Sequence, residues 1–113
     1  MTNEILDKKT VYTIVPAVNV VETPKSYVVT LDIPGATKEK VKANIENNTL
    51  VVSADVEELF QSEQNEAAKQ YRREFSLAND IDLNSVDAQY ALGVLTITLH
   101  KKIQYLPKQI TIN

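Results

Sequence analysis

One stretch in the middle of the chain restricts its fold more than any other. Val41, Ala43 and Ile45 alternate with Lys42, Asn44 and Glu46, Asn47-Asn48 interrupts, and Thr49-Leu50-Val51-Val52-Ser53 follows. Alternation with period two puts one set of side chains on a buried face and the other in water, the mark of a half-buried strand. Asn tolerates positive φ, so an Asn pair between two such runs predicts a tight hairpin. Similar patterns recur along the chain. Ser26-Tyr27-Val28-Val29-Thr30-Leu31-Asp32-Ile33 is β-branched and aromatic and stops at the turn pair Pro34-Gly35. Tyr71, Arg73, Phe75 and Leu77 share one face of a later strand, with Arg72, Glu74 and Ser76 on the other. Ala88-Gln89-Tyr90-Ala91 turns at Leu92-Gly93 into Val94–Leu99, where Leu95, Ile97 and Leu99 face one side. Many short strands joined by tight turns predict an all-β chain, an antiparallel β-sandwich.

Composition narrows the function classes. A chain of 113 residues with 43% apolar content can bury one core and is not wholly disordered. No apolar run nears the roughly 20 residues of a membrane span. Met1–Lys9 lacks the basic-then-apolar order of a signal peptide, so a cytoplasmic location is expected. Without cysteine there is no disulfide, thiol nucleophile or thiolate metal site. Net charge is −3, and the basic residues are scattered, with short pairs such as Arg72-Arg73 and Lys101-Lys102. That distribution argues against a nucleic-acid partner.

Nothing in the sequence forms a catalytic constellation. His100 is the sole histidine and has no nucleophile-elbow pattern beside it. Asp80-Ile81-Asp82-Leu83-Asn84 imitates the start of a calcium loop, but Ser85 stands at the sixth position and Ala91 at the twelfth, where Gly and Glu are needed. Gly35 and Gly93 are the only glycines, so there is no phosphate loop. Asn47-Asn48-Thr49 fits a glycosylation sequon, although a hairpin turn accounts for it better. The expectation is a non-enzyme with no cofactor, no metal and no small-molecule substrate.

Two segments stay open on the residues alone. Asp55 to Gln70 is rich in Glu, Gln and Ala, with Leu59-Phe60 as its only large apolar pair, and reads as either helix or mobile loop. At the end of the chain, Ile110-Thr111-Ile112-Asn113 carries two large apolar side chains one residue apart. In extended backbone both point the same way. The segment is either the last strand of the domain's own sheet or a latch that docks in a groove.

Taken in series, these segments resemble the small heat-shock proteins with their α-crystallin domain. Pro16-Ala17-Val18-Asn19-Val20-Val21-Glu22 is similar to the family's opening strand, and Leu31-Asp32-Ile33-Pro34-Gly35 to its strand ending in Pro-Gly. Tyr71-Arg72-Arg73-Glu74-Phe75-Ser76-Leu77 resembles its aromatic-x-Arg-x-aromatic-x-Leu strand. Ala88 to Leu95 matches Ala-x-x-x-x-Gly-Val-Leu, and Ile110-Thr111-Ile112 matches Ile-x-Ile.

The resemblance implies an immunoglobulin-like sandwich over residues 16–100, an N-terminal arm over 1–15 and a tail over 101–113. It implies a dimer that often assembles further, and ATP-independent binding of unfolding client proteins. The tail residues Ile110 and Ile112 would dock between the strand of Val41, Ala43 and Ile45 and the strand of Ala88 and Tyr90, usually on another dimer. Tyr71, Arg73 and Phe75 become dimer-interface candidates. There Arg73 would pair with a carboxylate across the interface, or else its stem would simply cover apolar neighbours. Clients would meet Ile5, Leu6, Val11, Tyr12 and Ile14 in the arm.

Three features depart from the family pattern. The arm is short, and Asp55–Gln70 is short for the swapped strand of many bacterial and plant members, so an edge-to-edge dimer through Tyr71–Leu77 is the other route. Ala78 stands where Pro is usual, and His100-Lys101-Lys102 replaces Pro-Lys. Two other classes remain beside the holdase. One is a β-sandwich adaptor similar to the CS-domain co-chaperones, which share the fold. The other is an assembly subunit without client-holding activity.

Overall fold

The computed structural model describes residues 10–56 and 67–112. Eight strands follow in order: β1 Thr10–Ile14, β2 Val18–Glu22, β3 Ser26–Asp32, β4 Ala36–Glu46, β5 Thr49–Val56, β6 Ala67–Ser76, β7 Ile81–Ala91 and β8 Val94–Lys101. They form two four-stranded sheets, β1-β6-β5-β4 and β2-β3-β8-β7. The all-β sandwich expected from the alternation is what forms. One pair departs from the antiparallel rule: β1 lies parallel to β6, from Thr10 beside Ala67 to Ile14 beside Tyr71. Part of the segment read as an arm is therefore a strand of the sheet.

The core follows the alternation. Val29 and Leu31 of β3, Leu50, Val52 and Ala54 of β5, and Leu95, Ile97 and Leu99 of β8 are buried, joined by Ile33 and Ile81. These are every second residue of strands inside their sheets, which is where inward side chains lose all contact with water. β6 is different. Its inward Tyr71, Arg73 and Phe75 stay half-buried, because they lie toward the side of the sandwich where β1 and β2 are the edges.

The turns behave as their residues dictate. Asn47 and Asn48 have φ of 52° and 58°, as the Asn pair requires. Gly35 has φ +88°, and a Cβ there would sit 3.2 Å from Cγ1 of Val56, so glycine is needed for both backbone and space. At the β7–β8 turn Leu92 takes φ 52° and is fully exposed. The Pro34-Gly35 corner is fastened from both sheets. The Tyr71 hydroxyl donates to the Pro34 carbonyl at 2.8 Å, Tyr90 donates to the carbonyls of Ala36 at 2.8 Å and Ile33 at 3.3 Å, and the Ile33 amide donates to Gly93 at 2.8 Å.

The ends of the ambiguous Asp55–Gln70 segment are strand, since Asp55 and Val56 belong to β5 and residues 67–70 to β6. Leu59-Phe60 lies outside the described residues. After β8 a short 3-10 turn spans Ile103–Tyr105, and residues 107–112 belong to neither sheet. The reading of the tail as a last strand of its own sheet is thereby overturned. Pro107 supplies no backbone donor, so it cannot complete a ladder there.

Candidate functional site

β4 and β7 are edge strands of the two sheets, and the bond from the Tyr90 hydroxyl to the Ala36 carbonyl brings the end of β7 beside the start of β4. Val41 and Ile45 on β4, and Val86 and Tyr90 on β7, are half-buried against the core, while Ala43 and Ala88 between them are exposed. Val41, Ala43 and Ile45 thus share one edge strand and Ala88 and Tyr90 the other. Val86 was missed, although it shares the face of Ala88 and Tyr90 by simple alternation.

Both edge strands are irregular. On β4 the pairing jumps from Ala36–Val56 to Val41–Ala54, five steps against two on β5. On β7 it jumps from Ile81–Lys101 to Val86–Leu99, again five steps against two on β8. The four residues in each interval, Thr37–Lys40 and Asp82–Ser85, stand against a single residue of the neighbouring strand and bulge from the ladder.

The tail that is expected to use a groove is free of its own domain. Ile110 is 82% exposed and Ile112 is 90% exposed. Its root is held firmly. The Lys101 and Lys102 amides donate to the carbonyls of Lys25 at 2.9 Å and Asp80 at 2.7 Å. The Lys101 ammonium meets Glu22 at 2.8 Å and lies 5.0 Å from the Tyr27 ring centre. The Tyr27 hydroxyl donates to both carboxylate oxygens of Asp80, at 2.9 and 3.1 Å. That hydrogen bond, with burial and the charges of Asp80 and Glu22, pushes the Tyr27 phenol up to about 12. Asp80 is therefore occupied by Tyr27, Asp82 accepts the Asn84 amide at 3.0 Å, and His100 bonds Asp87 at 2.9 Å.

Toward β2 and the end of β6 lies an apolar cleft of about 240 Å³, lined by Val20, Tyr27, Val29, Phe75, Leu77 and Leu99 among others. Arg73 stands on β6 beside Phe75, its guanidinium 5.7 Å from that ring's centre, and donates to the Pro16 carbonyl at 3.2 Å. Within one chain it ties down the link between β1 and β2, a contact the sequence did not signal. Of the arm candidates, Tyr12 is 55% exposed and Ile14 half-buried, Val11 lies in β1, and Ile5 and Leu6 fall outside the described residues.

The Hsp20/alpha crystallin family matches residues 19–113. The chain is 31% identical over 107 residues to the 17.4 kDa class III heat shock protein of Arabidopsis thaliana, covering 84% of this chain and 69% of that protein. It is 31% identical over 87 residues to the 22.7 kDa class IV heat shock protein of Pisum sativum, covering 71% of this chain but 44% of that longer protein. Heat shock protein 16.0 from Schizosaccharomyces pombe superimposes with a TM-score of 0.69 at 25% identity, over 88% of this chain and 99% of the other. No helix among the described residues is long and apolar enough to cross a membrane. With its sandwich, Gly-Val-Leu turn and Ile-x-Ile tail, the chain belongs to the Hsp20/alpha crystallin family, the small heat shock proteins, which are generally non-enzymatic chaperones.

Proposed function

We propose that the chain is an ATP-independent holdase that binds unfolding proteins and keeps them from aggregating, working in the cytoplasm as a dimer or larger oligomer. The observation that carries this reading is the pairing of half-buried apolar side chains on two edge strands with an exposed apolar tail in one molecule. Val41 and Ile45 on β4 and Val86 and Tyr90 on β7 pack half-buried against the core, and Ile110 and Ile112 stand in solvent. Burying an Ile side chain is worth roughly 1.5–3 kcal/mol, so docking is favourable but reversible once ordering of the tail is subtracted. An unfolding client displays the same kind of apolar, extended segment, and it competes for the groove whenever a tail leaves. Assembly and client holding then share one surface. The cleft around Val20 and Phe75, and the exposed Tyr12, offer further apolar area. Arg73, Tyr71 and Phe75 remain the dimer-interface candidates.

Light scattering of a heat-labile client, with and without the chain and without ATP, tests this reading. Suppressed aggregation at near-stoichiometric amounts is the expected result. No suppression by a folded chain would leave an assembly subunit or adaptor instead.

A further inference from the structure

We propose that strand β1 is an internal competitor for the edge of β6. While Thr10–Ile14 lies on that edge it withholds it from a second copy, and pairing between copies requires β1 to lift. This rests on the reading of Tyr71, Arg73 and Phe75 as a dimer interface and adds to it what controls access.

The register shows how much of the edge is taken. One side of β6 pairs with β5, from Lys69 beside Val56 to Ser76 beside Thr49. The other side carries β1, but only from Ala67 to Tyr71. Arg72 to Ser76, half of the ten-residue strand, have no strand on that side. Where β1 leaves β6 the surface opens into a notch of about 310 Å³ lined by Thr13, Val15, Arg72, Arg73 and Glu74. An unpaired row of amides and carbonyls is a template for another strand.

Five open residues make a poor template for a second copy of this chain. Two copies that pair edge to edge do so about a two-fold axis, so the contact is self-complementary. Antiparallel pairing confined to Arg72–Ser76 sets Glu74 against the same residue of the other copy, with Arg72 opposite Ser76 and Arg73 opposite Phe75. Like charges directly opposite destabilise a ladder. Every longer overlap runs into the end of β1. Lifting β1 returns all ten residues and frees the register.

β1 is held loosely. Its pairing is parallel, the slightly weaker kind per residue, and only five residues long. Tyr12 and Thr13 are exposed and Ile14 is half-buried, and none of the three belongs to the buried core. Little apolar burial supports its backbone bonds, the profile of a segment that opens before the domain unfolds. Its root is different. Val15 is exposed, but Pro16 is buried and its carbonyl accepts the Arg73 guanidinium at 3.2 Å, and Ala17 accepts the Asp32 amide at 3.1 Å. The strand therefore swings at Val15 from a fixed post and stays beside the edge when it opens. A tethered competitor acts at an effective concentration on the order of mM, so a second copy takes the edge only where chains are crowded.

The chain contains no cysteine, so an added disulfide can hold β1 in place. Thr13 stands beside Gln70 in the register, and neighbouring strands lie about 4.8 Å apart, within the span of a disulfide. Full-length Thr13→Cys/Gln70→Cys, bridged within one chain, is compared with its reduced form. Beside it stands full-length Tyr12→Pro/Thr13→Pro, in which consecutive prolines remove a β1 donor whichever of the two faces β6. Sedimentation across a dilution series reads dimer dissociation, and hydrogen exchange at Arg72–Ser76 reads pairing of the edge itself. Closing the bridge should weaken dimerisation at least about tenfold, reduction should restore it, and the proline variant should dimerise more tightly than the unaltered chain. Protection at Arg72–Ser76 should rise with concentration in step with the dimer. Concentration-dependent protection that is the same with the bridge open, with it closed and with β1 broken overturns the competition and leaves the interface reading standing. No such protection in any variant overturns both.

Discussion

Truncating Ile110 to Ala separates assembly from folding, and its size can be worked from the structure. Ile110 is 82% exposed in the free chain, so the domain itself loses nothing, and surface changes of this sort stay within about 0.5 kcal/mol. In a docked tail the same change removes three carbons from the groove, at ~0.8 kcal/mol for each buried methylene. The loss of about 2.4 kcal/mol corresponds to roughly a fiftyfold weaker tail contact. Ile103 supplies an internal control, because it is 83% exposed and equally apolar but sits in the 3-10 turn outside the tail motif. Mass measured by light scattering across a dilution series should fall for Ile110→Ala at concentrations where the unaltered chain and Ile103→Ala keep theirs. Thermal midpoints of all three should agree. Equal masses at every dilution would refute tail docking. A lowered midpoint for Ile110→Ala alone would show that the tail belongs to the domain's own fold.

Two other outcomes follow from local chemistry. Tyr27 has a phenol raised from 10.0 to about 12 by its bond to Asp80. The folded chain keeps that proton where the unfolded chain loses it, so stability is full below pH 10 and declines as pH rises from 10 toward about 12. Thermal midpoints of Tyr27→Phe should fall less steeply over this window, and identical slopes would deny the coupling. Leu92 occupies φ 52° with its side chain wholly in solvent, a backbone region that costs a branched residue roughly 1–2 kcal/mol and suits Asn better. Leu92→Asn should raise denaturant stability by up to about 1 kcal/mol, which urea unfolding measures. A loss of stability would mean that Leu92 packs against something in the assembly.

The elements that were legible in the sequence are those where one physical rule acts alone. Val41, Ala43 and Ile45, the Asn47-Asn48 turn and the Leu95–Leu99 face follow from period-two alternation and turn chemistry, and the motif order pointed to the family before any coordinates. Less was legible where distant strands decide the outcome. Thr10–Ile14 reads as a polar-apolar arm, and only the presence of β6 beside it makes it a parallel strand. The β7 bulge hid Val86, because the four residues before it break the alternation that continues through Ala88 and Tyr90. The carbonyl that Arg73 binds belongs to Pro16, 57 residues away, and no local pattern encodes such a partner.

The two matched bulges also bear on safety. A protein that keeps sticky surface in water among unfolding chains risks becoming a template on which they stack as cross-β fibrils. An uninterrupted edge would offer an extended client a continuous ladder of backbone donors and acceptors, and release from such a ladder is slow. With Thr37–Lys40 and Asp82–Ser85 displaced from register, and three lysines along the first edge, these edges offer only broken rows of amides. Under the proposed holdase reading, a polypeptide held there would be gripped by its apolar residues without its backbone being zipped onto the sheet. Capture would then be broad in sequence and easily undone, and the holder would not seed the aggregates that it opposes.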